Sequence, residues 1–475
     1  MKKSFILFIS ALVFLFCITG CNSSSEQGSG SKSPVKIKVW TYYSGSQMQA
    51  FDDIVEEFNL TRGKEVGVIV NAESKGSISS LIQAINSSAN NEVGSEPLPN
   101  IMSGYLDMAY ELEQKGLLAE LDSYFSEAEL SEYIDGYINE GRFDEKGSLK
   151  VFPVVKSSEV LIVNKTVWDE FAKQTGANVE QLATWEGITK LSQEYYNWCG
   201  KAFYGRDSEA NYFIIGSKQL GKEIFEVKDG KVKLNLDKDI MKKLWDNSYI
   251  PYINGYFTKK GKFRSDDAKT GDLIAWIGST ASAVYLPKEV IIDDTNSYPM
   301  EVMVLPVPNF ENTEPYAVQQ GAGMMVAKSE EEYQQASAEF LKWITEPEIN
   351  IKFALNASYA PVTKSSNNME SINAVISQDN IKISESVKKT MEIMVNQAMS
   401  YDMFTSKPFA NASAARNILE YSLSNKAAAD RAEIEHLTAE GKMSPDSAAA
   451  FYDTQENFEQ WFENLKRELE LAVNE

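Results

Sequence analysis

The feature that most constrains the fold is a regular alternation of strand and helix patterns over residues 35–114. From Val35 to Tyr42, apolar and polar residues alternate with the period of two expected of a strand. Apolar residues at helical spacing follow, and Ser46 with Gln49 predicts a capping box at their start. The next predicted elements are a strand at 66–70, a helix at 78–88, a strand at 100–102 and a helix at 107–114. This order indicates an α/β fold with a mostly parallel sheet and helices on both faces.

Beyond residue 150 the pattern still marks individual elements. Asp229-Gly230 lies between two alternating runs and predicts a β-hairpin over residues 223–235. Asp237 predicts the cap of a helix that continues to Asp246, and an apolar stripe predicts a helix over 330–345. From about Ser386 onward the chain is predicted to be helical. The chain is long enough for two lobes, each with its own core, and this C-terminal region either thickens the second lobe or offers a surface to a partner.

The N-terminus has the layout of a secretory signal peptide, with two lysines before an apolar run from Phe5 to Ile18. The run is shorter than the roughly 20 apolar residues that a membrane-spanning helix needs. Ile18-Thr19-Gly20-Cys21 resembles the bacterial lipobox, whose cysteine is lipidated and becomes the first mature residue. We therefore expect a signal peptide at 1–20, lipid attachment at Cys21 and a flexible tether over 21–34. The expected location is the extracytoplasmic face of the cell membrane; the alternative is a free signal peptide followed by a disordered terminus.

Composition excludes several classes of function. The net charge is −22, with 46 Lys and Arg against 68 Asp and Glu, which argues against a nucleic-acid partner. Cys199 is the cysteine left without a role, so no disulfide framework is expected. The single histidine, His436, argues against a serine or cysteine triad and against catalytic zinc. We expect neither a metal nor a cofactor and no enzymatic activity; glycoside hydrolysis by a carboxylate pair is the enzyme alternative.

Short motifs in order along the chain together resemble the family 1 extracellular solute-binding proteins, the group that includes maltodextrin-binding proteins. Two positions depart from the family pattern: Val163 stands where an aromatic residue is usual, and Trp276 replaces a methionine. The matching segments are Pro99-Asn100-Ile101, Gly116-Leu117-Leu118, Leu121-Asp122, Phe152-Pro153, Leu161 to Lys165, Thr184-Trp185-Glu186, Gly271 to Ser279, Leu305 to Pro308, Gly321-Ala322-Gly323 and Ala360-Pro361-Val362.

The resemblance implies a two-lobe periplasmic-binding-protein type II fold whose lobes close on a solute. Lobe 1 is expected to comprise residues 35–155 and 299–350, and lobe 2 residues 156–298 and 351–475. The family resemblance also implies delivery of the solute to the membrane permease of an ABC importer. Since the chain has no phosphate-binding Gly-x-x-x-x-Gly-Lys loop, ATP hydrolysis must occur on another chain. The expected solute is a sugar or oligosaccharide, with peptides, polyols and phosphodiesters left open.

Candidate solute-binding residues follow from strand ends and from the family pattern. Aromatic rings and hydroxyls side by side suit a sugar, which packs its CH faces on rings and buries hydroxyls against polar groups. Three alternatives stay open: Trp40 and one tyrosine belong to the core, Asp107 is a helix cap, and residues 204–212 form a solvated loop. The predicted ligand-binding residues are Trp40, Tyr42, Tyr43, Ser44, Tyr105, Asp107, Ser157, Asp207, Trp276, Gly278, Ser279 and Gln319.

Overall fold

The computed structural model describes residues 33–228 and 231–474. The predicted signal peptide, Cys21 and nearly all of the tether lie outside the described residues, as does the predicted Asp229-Gly230 turn. Within the described ranges, no helix combines the length and the apolar character needed to cross a bilayer.

Fourteen strands and nineteen α-helices make up the described part of the chain. The strands are β1 Val35–Thr41, β2 Val68–Ser74, β3 Ile101–Gly104, β4 Glu159–Asn164, β5 Tyr204–Arg206, β6 Phe225–Lys228, β7 Lys231–Leu234, β8 Ala275–Ser279, β9 Glu289–Asp293, β10 Asn296–Pro299, β11 Val302–Leu305, β12 Tyr316–Val318, β13 Gly323–Val326 and β14 Asp402–Phe404. The helices are α1 Gly45–Leu60, α2 Arg62–Val66, α3 Ile78–Ala89, α4 Leu106–Gln114, α5 Glu127–Ser131, α6 Asp135–Glu140, α7 Lys165–Thr175, α8 Trp185–Cys199, α9 Glu209–Gln219, α10 Lys238–Asp246, α11 Tyr249–Ile253, α12 Arg264–Lys269, α13 Glu331–Ile344, α14 Pro347–Ala357, α15 Met369–Gln378, α16 Glu385–Ser400, α17 Ala412–Ala439, α18 Pro445–Tyr452 and α19 Gln455–Asn474.

Lobe 1 is built on the predicted parallel sheet. Its strand order is β13-β3-β1-β2, with β1 parallel to β2 and β3, and with β13 antiparallel to β3. Val39 on one face of β1 joins the core formed with α1, α13 and α14, whereas Trp40 on the other face joins the core formed with α3 and α4. The α/β prediction with helices on both faces is confirmed.

Two local predictions in lobe 1 are wrong at their boundaries. Helix α1 begins at Gly45 with Ser44 as its N-cap residue, so the predicted capping box at Ser46 does not form. Gly45 adopts φ +55°, which is easy for glycine and lets the chain turn directly from β1 into the helix. Val66 ends α2 instead of opening a strand, because left-handed Gly67 terminates that helix and β2 begins at Val68.

Lobe 2 contains a mixed sheet of order β11-β4-β8-β5. Strand β4 is antiparallel to β11 and β8, and β5 is parallel to β8. The C-terminal helices α17 and α19 pack into the core of this lobe, where Leu419, Trp461 and Leu465 join Phe213 and Trp245. The helical C-terminal region therefore thickens the second lobe.

The observed strand pairing and core packing place two lobe boundaries differently from the prediction. Residues 299–350 were expected in lobe 1, yet β11 pairs with β4 in the lobe 2 sheet. Residues from 351 were expected in lobe 2, yet Phe353 and Ala354 of α14 lie in the lobe 1 core. The chain therefore returns to lobe 1 only after β12, which is later than the motif spacing suggests. It then leaves lobe 1 only after α14.

Other predicted elements lie where the sequence places them. Strands β6 and β7 pair antiparallel, as the hairpin prediction requires. The Asp237 carboxylate accepts hydrogen bonds from the backbone N–H groups of Asp239 and Ile240 in the first turn of α10. Helix α13 ends at Ile344, before Pro347. Strand β14 was not predicted. It pairs parallel with β12, where Asp402 lies opposite Tyr316, which is 86 residues earlier in the sequence.

Candidate functional site

Chain segments that cross between the lobes form the floor of the site. The first runs into β4, and Ser157 in it exchanges two backbone hydrogen bonds with Gln320 in the second crossing segment, at 2.9 and 2.8 Å. Lys156 does the same with Ala360, at 3.0 and 2.7 Å. The Ser158 hydroxyl donates to the carbonyl of Val318 at 2.7 Å. Because the crossing segments are bonded to each other, they form one hinge instead of independent linkers.

Between the lobes, and above this hinge, lies a cleft of about 600 Å³. Lobe 1 lines it with α4, the end of α6 and Tyr359, and lobe 2 with α9, the end of β8 and the segment that leads into α17. The carboxyl end of β3 opens directly into it, as expected for a ligand site on a parallel sheet.

Five of the predicted site residues line this cleft. They come from both lobes and from the hinge, and they supply one aromatic ring, one carboxylate, two hydroxyls and one amide. Their roles in solute binding remain predictions. The five are Tyr105, Asp107, Ser157, Ser279 and Gln319.

Three predicted aromatic residues belong to the core instead. Trp40 is 1% exposed, and the ammonium of Lys75 lies 3.9 Å from its ring centroid. Tyr43 packs its ring against Phe51, and Trp276 is buried beneath the lobe 2 sheet. The reason is common to all three: each large side chain lies in or next to a strand on a face that a helix or loop covers.

Four more predicted residues are not among the described residues that line the cleft. Ser44 is exposed at the start of α1, and Gly278 is an interior residue of β8. Asp207 accepts a hydrogen bond from the backbone N–H of Arg264 at 2.8 Å, and burial raises the pKa of its carboxyl. Tyr42 lies one layer behind the cleft, with its ring 6.3 Å from that of Tyr105.

Tyr105 offers the aromatic surface of the cleft. It is 47% exposed and stacks on Tyr42, and Tyr359 lines the same wall. Burial raises the pKa of both Tyr42 and Tyr105, so their hydroxyls stay protonated and can donate hydrogen bonds at neutral pH. This wall can hold an apolar face of a solute and bond its polar rim.

Glu140 is a cleft residue that the sequence analysis missed. Its carboxylate accepts from the ammonium of Lys156 at 2.6 Å and from the side-chain amide of Gln319. Lys156 also donates to the carbonyl of Gly321 at 3.0 Å. Glu140 ends a six-residue helix with no local pattern, so no sequence signal marks it.

Arg416 is a second cleft residue that was missed. It lies on α17, and its guanidinium donates to the Asn211 side-chain oxygen at 2.5 Å. The amide of Asn211 in turn donates to the Glu159 carboxylate at 2.6 Å. Burial raises the pKa of Glu159 to about 7, although the Asn211 hydrogen bond and the Arg416 charge oppose the shift. Asn211 was considered as part of a polar loop, but it lies in the first turn of α9 and is buried.

One contact bridges the two lobes directly across the cleft. The hydroxyl of Ser413, in the first turn of α17, donates a hydrogen bond to the carboxylate of Asp107 on α4. A carboxylate at a helix N-terminus is also favoured by the helix dipole. The contact therefore stabilises the arrangement in which the lobes approach each other.

Ser413→Ala removes the donor of this bridge and should shift the ligand-free protein toward an open form. The shift should be about fivefold in the open-to-closed ratio, because a net hydrogen bond is worth about 1 kcal/mol. Small-angle scattering should report a larger radius of gyration. Ser413→Thr keeps the hydroxyl and should match the wild type. Equal radii for the alanine variant and the wild type would show that the bridge does not influence closure.

Comparisons with known proteins agree with this architecture. The sequence profile described as "Bacterial extracellular solute-binding protein" matches residues 53–381. No curated protein matches the chain in a sequence comparison.

Solved structures match over nearly the whole chain. A cyclic α-maltosyl-1,6-maltose binding protein from Arthrobacter globiformis is 20% identical with a TM-score of 0.65, covering 93% of this chain and 100% of that one. UgpB from Mycobacterium tuberculosis, solved with glycerophosphocholine, is 16% identical with a TM-score of 0.66, covering 94% and 99%. The GacH receptor of Streptomyces glaucescens, solved unliganded and with acarbose, is 15% identical with a TM-score of 0.62, covering 92% and 99%.

At these identities the structural matches establish the fold, which is that of two-lobe periplasmic binding proteins. The family match covers more than half of the chain. The chain belongs to the bacterial extracellular solute-binding protein family.

Proposed function

We propose that this protein is the lipid-anchored solute-binding component of an ABC importer, and that it captures a carbohydrate between its lobes and delivers it to the permease. The observation that carries the proposal is the cleft above the hinge, which both lobes line. A solute that contacts both walls binds the closed form more tightly, and this difference in affinity drives closure.

The chemistry of the cleft supports a carbohydrate. Tyr105 provides a ring face and Asp107 an acceptor on one wall, whereas Arg416 provides donors on the other. A sugar is complementary to these groups, because its CH faces pack on aromatic rings and its hydroxyls bond to donors and acceptors. Two structural neighbours also point to carbohydrate: the Arthrobacter protein is named for binding a cyclic saccharide, and the Streptomyces protein was solved with acarbose. The glycerophosphocholine bound to UgpB keeps phosphodiesters in the test panel.

Thermal unfolding of the mature chain with Cys21 replaced by serine tests the solute class. The panel contains maltotriose, a cyclic glucose tetrasaccharide, glycerophosphocholine and a tripeptide. A ligand present at about 100 times its dissociation constant adds about 2.7 kcal/mol to the free energy of unfolding. We expect stabilisation by a saccharide that is recovered intact. Recovery of a cleaved saccharide would favour the carboxylate-pair hydrolase, and stabilisation by glycerophosphocholine alone would replace the carbohydrate proposal.

Lipid anchoring at Cys21 is tested separately in cells. Cys21→Ser removes the thiol that carries the lipid, so the protein should move from the membrane fraction to the soluble extracytoplasmic or medium fraction. Labelling with a palmitate analogue should mark the wild type and not this variant. Cys199→Ser is the matched control, since Cys199 is exposed on the folded domain, and it should leave both results unchanged. Membrane retention of Cys21→Ser would contradict the anchor.

A further inference from the structure

Three side chains on three different elements connect the interior of lobe 2 to the cleft. Glu159 opens β4 and is 9% exposed, Asn211 on α9 is 1% exposed, and Arg416 on α17 lines the cleft. The distances are 2.6 Å from the Asn211 Nδ2 to the Glu159 Oε1 and 2.5 Å from the Arg416 Nη2 to the Asn211 Oδ1. Arg416 is thus held, through Asn211, by the buried Glu159, which does not itself line the cleft.

The order of donors and acceptors in this series of hydrogen bonds lets Glu159 control the orientation of the Asn211 amide. An ionised carboxylate only accepts hydrogen bonds, so it requires the NH₂ group of Asn211 to face it. The amide oxygen of Asn211 must then face the guanidinium of Arg416. A protonated Glu159 can donate instead, which allows the amide to turn its oxygen toward the acid and away from Arg416.

The groups around Glu159 place this change within the physiological pH range. Burial in lobe 2 raises its pKa to about 7, the Asn211 hydrogen bond and the Arg416 charge lower it, and the Asp207 and Glu420 carboxylates raise it. From β5, the buried Arg206 lines a small cavity together with Glu159, and the Tyr204 hydroxyl lies in the same region. Helix α16 contributes the amide of Gln397, which donates to the backbone carbonyl of Glu159.

We propose that Glu159 is a positioning residue for the solute site: through Asn211 it holds Arg416 in the orientation that binds solute, and it releases Arg416 when it takes up a proton. This inference rests on the proposed function, because it assumes that the cleft binds a solute. Arg416 has five N–H donors, so those not used for Asn211 remain for the solute. Solute binding should therefore be tighter above neutral pH than below it.

The first test needs no solute. In the mature chain labelled with ¹⁵N-arginine, the side-chain signal of Arg416 is assigned through its loss in Arg416→Lys and is followed from pH 5.5 to 8.5. It should shift with a midpoint near 7 in the wild type and not shift in Glu159→Gln, which keeps the size and the acceptor oxygen. Asp207→Asn is the matched control: it should keep the transition and move its midpoint to lower pH. An Arg416 signal that is constant in the wild type, or unchanged by Glu159→Gln, would overturn the inference.

The second test uses maltotriose as the probe. Wild-type affinity should be about fivefold higher at pH 8.5 than at pH 5.5, since release of Arg416 loses about one net hydrogen bond to the solute. The affinity of Glu159→Gln should not change with pH. Equal wild-type affinities at the two pH values would overturn the role in binding. If maltotriose does not bind at all, the carbohydrate proposal fails for this probe, and the Arg416 signal decides the positioning role by itself.

Discussion

Lys156→Met should destabilise the protein by about 3–5 kcal/mol, the loss expected when one partner of a buried ion pair is removed. The Lys156 side chain is 1% exposed and that of Glu140 is 9% exposed, and their charged atoms lie 2.6 Å apart. Methionine has a similar length but no charge, so the Glu140 carboxylate, 9% exposed at the floor of the cleft, would keep only neutral donors. Urea denaturation of the mature chain at pH 7 measures the loss.

A double variant and a surface control separate this effect from a general loss of packing. Lys156→Met with Glu140→Gln removes both charges and should recover most of the lost stability, because no unpaired buried charge remains. Lys165→Met breaks the exposed pair with Asp169, whose side chains are 36% and 56% exposed, and should cost less than 1 kcal/mol. Similar losses for Lys156→Met and Lys165→Met would mean that the hinge pair contributes little.

Two of the predicted residues that line the cleft, Tyr105 and Asp107, follow a local rule. Tyr105 and Asp107 directly follow β3, and the carboxyl ends of parallel strands form the ligand-binding edge of such sheets. The alternation that predicts β1, α3 and α4 is equally local. Sequence patterns over ten or twenty residues are therefore sufficient for strands β1 to β3, for helices α1, α3 and α4, and for the Tyr105 and Asp107 part of one cleft wall.

The opposite wall depends on contacts that no short pattern contains. Arg416 meets Asn211 across 205 positions of sequence, and it does so only because α17 folds back onto lobe 2. Strand β14 is three residues long and forms only because β12 is already in place beside it. A tertiary contact of this kind needs the fold first, which is why the sequence analysis left the role of the C-terminal region open.

Aromatic residues show a different limit. Trp40 and Tyr105 both follow the rule for strand ends, yet one is 1% exposed and the other 47%. The difference is set by what covers each position: helices α3 and α4 and the Lys75 side chain cover Trp40, whereas Tyr105 lies at the open edge. Side-chain type alone could not separate a core ring from a ring that lines the cleft.

Glu159→Gln should make the protein more stable than the wild type, and its advantage should grow as the pH rises. The folded-state pKa of Glu159 is about 7, above its ordinary value of 4.5, because burial disfavours the charged form. A raised folded pKa means that the folded state holds the proton more tightly than the unfolded state. The wild type therefore loses stability as the pH rises from about 4.5 to about 7, and glutamine has no proton to lose.

The size of the gap distinguishes this buried acid from an ordinary surface acid. Between pH 5 and pH 8 the stability difference between Glu159→Gln and the wild type should widen by about 2 kcal/mol, since each unit of pKa shift corresponds to about 1.4 kcal/mol. Glu392→Gln neutralises an exposed glutamate in the middle of α16 and should follow the wild type at every pH. Denaturation curves at pH 5, 6, 7 and 8 measure the three proteins together, so titrations of other groups cancel in the differences. A constant gap for Glu159→Gln would mean that Glu159 stays ionised in the folded protein, and the acid could then not act as a proton-dependent support for Arg416.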